Sequence, residues 1–365
     1  MRALLRAATM VAVFGMLAVL LVACGGGNSA TSTAKPATGG SPASAVSPGA
    51  SASPGAGLTK VTVGYVPVLI YGPLLLALDK GYFAEYGLNV DLQPLPGGAD
   101  MVVLTANGNF DIGIGGTGPA YFNAAARGVN LKIISPLHFE RDPQATPLMV
   151  SKKRYDSGEL TKVSDLKGKK VAVNAHGATE YWLDAALRTD GLTIADVDLQ
   201  TLGFKDVPAA LDSGALDAAM LGEPLATQAE QKGLAVRLKT NFPADFQPTF
   251  AWVNPDFAKQ HHDLVVGFEE GMLRGCRDLL AADWNSDANL AILQKYTNVP
   301  AELIRAASRT YCEPNGDVHQ QDLATLQTFF KDRGLLEYAA PLDVGALIDR
   351  SYVNEALQHI GNYQP

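Results

Sequence analysis

The residues able to do covalent chemistry are few and scattered. The cysteines are Cys24, Cys276 and Cys312, with no CxxC pair and no Cys/His cluster at zinc spacing. No Ser-His-Asp order, P-loop or HExxH motif can be read, so no metal, cofactor or catalytic residue is expected. What remains suits non-covalent capture. Gly115-Gly116-Thr117-Gly118-Pro119 joins a strand-like run to a helix-like one. It offers backbone N–H groups, a hydroxyl and no bulky side chain, which lets an anion or a polar ring edge come close. His176-Gly177-Ala178-Thr179-Glu180 is a second such turn, and Gly222-Glu223-Pro224 a third. Tyr65, Pro67 and Tyr71 end the first strand, and Trp252 stands near a return of the chain. The ligand-binding candidates are Tyr65, Pro67, Tyr71, Gly116, Thr117, Gly118, His176, Thr179, Glu223 and Trp252. Arg141 and Glu180 are the charged candidates, and Tyr181 and Trp182 adjoin the second turn. Each has a plainer reading. Thr117 could cap a helix, His176 has no partners for a metal, Trp182 fits a core, and Arg141 and Glu180 fit a solvated surface.

These loops need elements to hold them, and the sequence supplies an alternation. Strand-like runs at 61–65, 88–92, 111–115 and 131–135 alternate with helix-like runs at 73–80, 99–106 and 120–126. The pattern restarts with strands at 169–173, 198–202 and 216–221 and helices at 180–189, 207–213 and 225–231. Alternation of this kind predicts α/β lobes with parallel sheets covered on both faces. From Asp263 onward the runs are helical: 264–282, 287–296, 301–311, 319–333 and 344–357. They show no third core and are expected to pack on the first lobe. That makes lobe 1 discontinuous, 58–145 and 251–365, with lobe 2 inserted as 146–250 and crossings at Leu137–Thr146 and Pro248–Asn254. Asp111 and Asp217 read as closing strand–turn junctions, and Tyr82 and Phe83 as packing a core edge.

The N-terminus points to export. Arg2 and Arg6 precede an apolar run, which ends in Leu21-Val22-Ala23-Cys24. A basic start, an apolar stretch and small residues at its end make a signal peptide, 1–24. The final four residues resemble the bacterial lipobox, in which the cysteine is lipidated. An uncleaved anchor helix or an ordinary signal peptide are the alternatives, and both still export the domain. Residues 25–57, almost wholly Gly, Ser, Ala, Thr and Pro, read as a disordered tether with a reach of roughly 30 Å. Export permits a Cys276–Cys312 disulfide, with two buried free thiols as the alternative. The net charge of −8 argues against nucleic acid, which calls for a basic stripe.

Several motifs recur in order. Lys80-Gly81-Tyr82-Phe83 precedes Gly87-Leu88-Asn89-Val90, and Asn107-Gly108-Asn109-Phe110-Asp111-Ile112-Gly113 follows. Next come Asp165-Leu166-Lys167-Gly168-Lys169-Lys170-Val171-Ala172-Val173, then Ser213-Gly214-Ala215-Leu216-Asp217-Ala218-Ala219 and Glu223-Pro224. Together they resemble the type II periplasmic solute-binding proteins of the nitrate/sulfonate/taurine group (SsuA/THI5-like, NMT1), over about Val61 to Gln358. The resemblance implies a two-lobed fold with an interlobe cleft at the same loops. It implies an extracytoplasmic subunit of an ABC importer, with a permease and an ATPase as partners and a small organic anion as ligand. Anchoring by lipid at the outer face of the cell membrane, and a monomeric state, complete the expectation. The wealth of aromatics and scarcity of Lys and Arg near the cleft loops also suit a flat heterocycle, such as a pyrimidine or flavin precursor. Two other classes remain beside this reading. One is an enzyme like the thiamine-pyrimidine synthase of this fold, whose cysteine-rich iron-binding stretch is missing here. The other is a sensory binding module.

Overall fold

The computed structural model describes residues 57–96, 100–238 and 245–364. The signal peptide, Cys24 and all but the last residue of the tether lie outside the described residues. From Gly57 the chain builds two five-stranded sheets. The first takes β1 (Thr59–Tyr65), β2 (Leu88–Pro94), β3 (Ile112–Gly116) and β4 (Lys132–Glu140). The second takes β5 (Leu148–Ser151), β6 (Lys170–Val173), β7 (Asp198–Thr201), β8 (Ala218–Met220) and β9 (Ala235–Arg237). Then β10 (Phe246–Val253) returns to the first sheet, giving orders β2-β1-β3-β10-β4 and β7-β6-β8-β5-β9.

The two sheets share one plan. Each has three parallel strands, β2-β1-β3 or β7-β6-β8, followed by one antiparallel strand, β10 or β5. That antiparallel strand is, in each sheet, the first strand after the chain has crossed from the other sheet. The sheets are therefore mixed rather than parallel, which corrects the sequence expectation. The strands missed were β5, β9 and β10, the last because its Pro248 reads as a breaker. It lies in the middle of the sheet at a register break between Phe246 and Thr249. The return to the first sheet thus begins at Phe246, ahead of the boundary at 250/251 drawn from sequence. Asp111 and Asp217 do equivalent work in the two sheets. Asp111 accepts from the Thr62 amide at 2.7 Å, and Asp217 from the Lys170 amide at 2.7 Å.

Alternation along the strands sorts side chains to the two faces. Ile112, Ile114, Ala251 and Val253 face one apolar cluster; Phe250 and Trp252 face the other. Both clusters draw residues from both sheets, with Met149, Ala172 and Ala219 in the first and Leu148, Val171 and Met220 in the second.

Six helices matter for the site and its support: α1 (Gly72–Asp79), α2 (Pro119–Ala126), α3 (Ala178–Arg188), α4 (His262–Leu280), α5 (Gln320–Asp332) and α6 (Ser351–Ile360). α4 lies on α1, and a Cβ on Gly275 would come within 2.1 Å of the Pro73 carbonyl oxygen, so only glycine permits this approach. Phe83 is buried and stacks on Phe268 at 5.1 Å, as expected of a core edge. α5 departs from expectation. It packs against α2 and α3 together, so it spans both sheets rather than the first alone. The helix expected over 344–357 begins only at Ser351, and the one expected over 301–311 ends at Ala306. Cys276 of α4 and Cys312 are joined as a disulfide.

Candidate functional site

A cavity of about 620 Å³, open mouth included, lies where the carboxyl ends of strands from both sheets converge. Such crevices are where open α/β sheets bind ligands. Val66, Val68, Ile70 and Tyr71 follow β1, and Gly116 ends β3. From the second sheet come Asn174 to Thr179 after β6, Phe204 after β7 and Gly222 after β8. His138 and Glu140 from β4, Pro248 and Thr249 from β10, Thr146 and Trp182 complete the wall.

The two glycine turns meet backbone to backbone. A Cβ on Gly118 would lie 2.8 Å from the His176 carbonyl oxygen and 2.8 Å from the Gly177 Cα. A Cβ on Gly116 would sit 3.3 Å from the Ala178 Cβ. The absence of side chains therefore lets the sheets close on each other here. The first turn of α3 points into the same region, and its leading N–H groups have no intrahelical acceptor. Thr179 Oγ1 donates to Asn174 Oδ1 at 2.7 Å. His176 Nδ1 lies 2.6 Å from Glu180 Oε1, while Arg333 donates to Glu180 Oε2 at 2.7 Å. Glu180 is fully buried, so this ion pair ties α3 to the residue that follows α5.

The opposite wall carries buried polar side chains. His138 and Glu140 are each 2 % exposed. They lie two residues apart on β4, which puts them on one face. Glu140 Oε2 accepts from the Ala145 amide at 3.0 Å, and its Oε1 is 3.4 Å from His138 Nε2. His138 Nδ1 has no hydrogen-bond partner among the described residues. Tyr71 donates from its hydroxyl to the Ile114 carbonyl at 2.8 Å, and burial pushes its ionisation far up, so it stays neutral. Among the described residues no Lys or Arg lines the cavity.

Of the ten sequence candidates the cavity brings together four: Tyr71, Gly116, His176 and Thr179. Six are placed elsewhere. Tyr65 is buried beside Tyr71, ring centroids 5.9 Å apart, and Pro67 stays outside the wall between the lining residues Val66 and Val68. Thr117 is fully buried behind Gly116; its amide donates to the Pro248 carbonyl at 3.0 Å, and its hydroxyl has no partner among the described residues. It neither faces the cavity nor caps α2, whose N-cap is Gly118. Gly118 faces the second turn instead of the cavity. Glu223 is turned away from the cavity, bonded to Thr227 and Arg237. Trp252 is fully buried and stacks on Tyr121 at 5.5 Å. Arg141 pairs with Asp245 on the surface. Sequence reasoning missed His138, Glu140, Thr146, Asn174, Phe204 and Thr249. The His-Phe-Glu alternation at 138–140 was a usable signal, because two polar residues at i and i+2 share one face of a strand.

The description "NMT1/THI5 like" belongs to a family model that matches residues 71–283. The Taurine-binding periplasmic protein of Escherichia coli is 26% identical over 270 residues, covering 70% of this chain and 81% of that protein. The Bicarbonate transport ATP-binding protein CmpC of Synechococcus elongatus is 26% identical over 276 residues; it is longer, and this chain spans 41% of it. Among solved structures, the alkanesulfonate-binding protein SsuA of Xanthomonas axonopodis pv. citri, bound to MOPS, superposes with a TM-score of 0.67 at 19% identity, covering 81% of this chain and all of that one. The desulfurization enzyme DSZB has the same fold at a TM-score of 0.57 and 18% identity, covering 82% of this chain and 99% of that one.

Proposed function

Because the chain belongs to the NMT1/THI5-like family, we propose that it is the extracytoplasmic solute-binding subunit of an ABC importer. In this reading the two sheet layers act as lobes, 58–145 with 246–365 and 146–245, that close on a small organic solute of the sulfonate, taurine or nitrate kind. The observation that carries it is the cavity at the junction of the sheets, built from the strand-end loops of both. Its wall supplies what capture needs: backbone N–H groups at the start of α3, a few polar side chains and an apolar side made by Val68, Ile70, Trp182 and Phe204. That apolar and aromatic side also supports a second reading, a flat heterocycle such as a pyrimidine or flavin precursor. Cys24 carries the lipid in this proposal, and the tether keeps a monomeric binding domain near the permease and ATPase.

A thermal-shift screen over sulfonates, nitrate, pyrimidines and flavins tests the binding role. A native-state ligand at a hundredfold excess over Kd stabilises by about 2.7 kcal/mol. Absence of any shift, with no stimulation of the ATPase of a genetically adjacent importer, would sink the reading. Because a desulfurization enzyme shares the fold, the same ligands are to be followed for turnover; product release would move the chain to the enzyme class. For the anchor, Cys24→Ser is expected to abolish lipid labelling and release the protein from membranes. Unchanged membrane retention would rule the lipobox out.

A further inference from the structure

Among the described residues the cleft contains a buried acid whose one side-chain partner is an imidazole. Glu140 is 2 % exposed and lines the cavity, yet among the described residues no Lys or Arg lines it too. It accepts a short hydrogen bond from the Ala145 amide, 3.0 Å, and the contact with His138 Nε2 is long at 3.4 Å. A carboxylate can accept about four hydrogen bonds, so acceptor capacity is left over on the cavity side. A buried carboxylate whose one side-chain partner is a long imidazole contact is costly to keep charged, and a further donor entering the cavity would complete it. Glu180, also in the cleft region, shows the contrast: it is buried, and Arg333 pairs with it at 2.7 Å. Beside Glu140, His138 has its own unfinished atom, Nδ1. Across the cavity the first turn of the eleven-residue α3, with Asn174 and Thr179, offers N–H and hydroxyl groups and favours negative charge.

We propose that the solute carries a nitrogen bearing N–H, an ammonium or an amino group, which docks on Glu140, with its acceptor or anionic end toward His138 and the start of α3. The inference rests on the binding-protein reading and sharpens it. Simple oxyanions such as nitrate, and sulfonates lacking an amine, leave Glu140 uncompensated and bind poorly. Two kinds of solute share this chemistry, an aminoalkyl acid and an amino heterocycle.

The test uses matched probes on the purified exported domain with its disulfide intact. Taurine is compared with ethanesulfonate, and 4-aminopyrimidine with pyrimidine, by titration calorimetry on wild type and Glu140→Gln. At least one amino probe is expected to bind tenfold or more tightly than its partner, and Glu140→Gln is expected to erase that preference. Which pair shows it identifies the kind of solute. Equal binding within a pair, or a preference that survives Glu140→Gln, overturns the proposal. Should none of the four bind, the unliganded melts decide. Gln keeps an acceptor for the Ala145 amide but removes the uncompensated acid, so a rise in Tm upholds the inference. An unchanged or lowered Tm makes Glu140 a structural anchor of the 140–145 turn and overturns it. Failure of the wider screen above bears instead on the binding-protein reading.

Discussion

The two ends of β4 present the same problem and solve it in opposite ways. At one end Ser135 donates to Glu269 of α4 at 3.0 Å, in a small cavity walled by Pro73, Leu137, Met272 and the Cys276–Cys312 disulfide. Glu269 is fully buried, and loss of hydration pushes its carboxyl up to about 8. At the other end Glu140 is as deeply buried but meets a backbone amide, an imidazole and the cleft. Depth of burial alone therefore does not single out a functional acid. The partners do: one carboxyl is buried in a small space beside Ser135, Glu313 and apolar groups, where loss of hydration holds its proton, while the other faces a space that a solute can enter.

The largest expected effect breaks the comparison at the Glu269 end. The folded-state value of Glu269 is raised above its unfolded value of 4.5. The folded state therefore holds a proton that the unfolded state has released between pH 4.5 and about 8. Stability is at its fullest below that window and falls as pH rises through it, by about 1.4 kcal/mol per unit. Glu269→Gln should flatten this slope in urea melts from pH 4 to 8.5, match wild type near pH 4.5, exceed it near pH 8 and leave solute affinity alone. Parallel pH profiles would show that Glu269 does not titrate as its surroundings indicate.

A middle-sized effect tests the cleft end through shape. Gly118→Val puts a branched side chain against the His176 and Gly177 backbone, where even a Cβ lies at 2.8 Å. Overpacking of this kind costs about 1–3 kcal/mol. Here it should weaken solute binding roughly five- to hundredfold and enlarge the radius of gyration in scattering, while the pH slope from Glu269 persists. Full affinity in this variant would mean that the two turns need not touch when solute is bound.

The smallest effect concerns Thr117. A hydroxyl in the glycine turn looked well placed for a ligand, but it is buried without a partner among the described residues. Thr117→Val should leave affinity unchanged in calorimetry and stabilise the unliganded protein by up to about 1 kcal/mol, since an unsatisfied buried hydroxyl is removed. A clear loss of affinity would put the hydroxyl back in the site.

Much of the fold was legible because it is local. The βα alternation, the helix-ending glycines and the two strand-closing aspartates are each set by a few neighbouring residues, and β1 to β4 and β6 to β8 were all visible as runs. The candidate site was half legible. Loops after parallel strands form a cleft as a rule, so Tyr71, Gly116, His176 and Thr179 could be found. Which residue of a loop faces the cleft could not. Thr117 is one position from Gly116, and a step along extended backbone turns the side chain to the other face; Gly118 is instead taken up by the His176–Gly177 backbone, which only the packed structure shows.

The sequence by itself determined the order of elements, the absence of familiar catalytic motifs and the family signature, all of which reside in short stretches and their spacing. The tertiary structure alone decided what meets across distance. It set β10 beside β3 and β4 despite Pro248, brought Cys276 to Cys312, and placed His138 and Glu140 opposite a turn nearly forty residues further on. It also laid α5 across both sheets and gave Glu180 its partner in Arg333, while Glu140 received none from Lys or Arg among the described residues. The reason is physical: periodicity reports which side of its own element a residue occupies, whereas the surface that will face it depends on long-range strand pairing and on how closely glycine backbones let two layers approach.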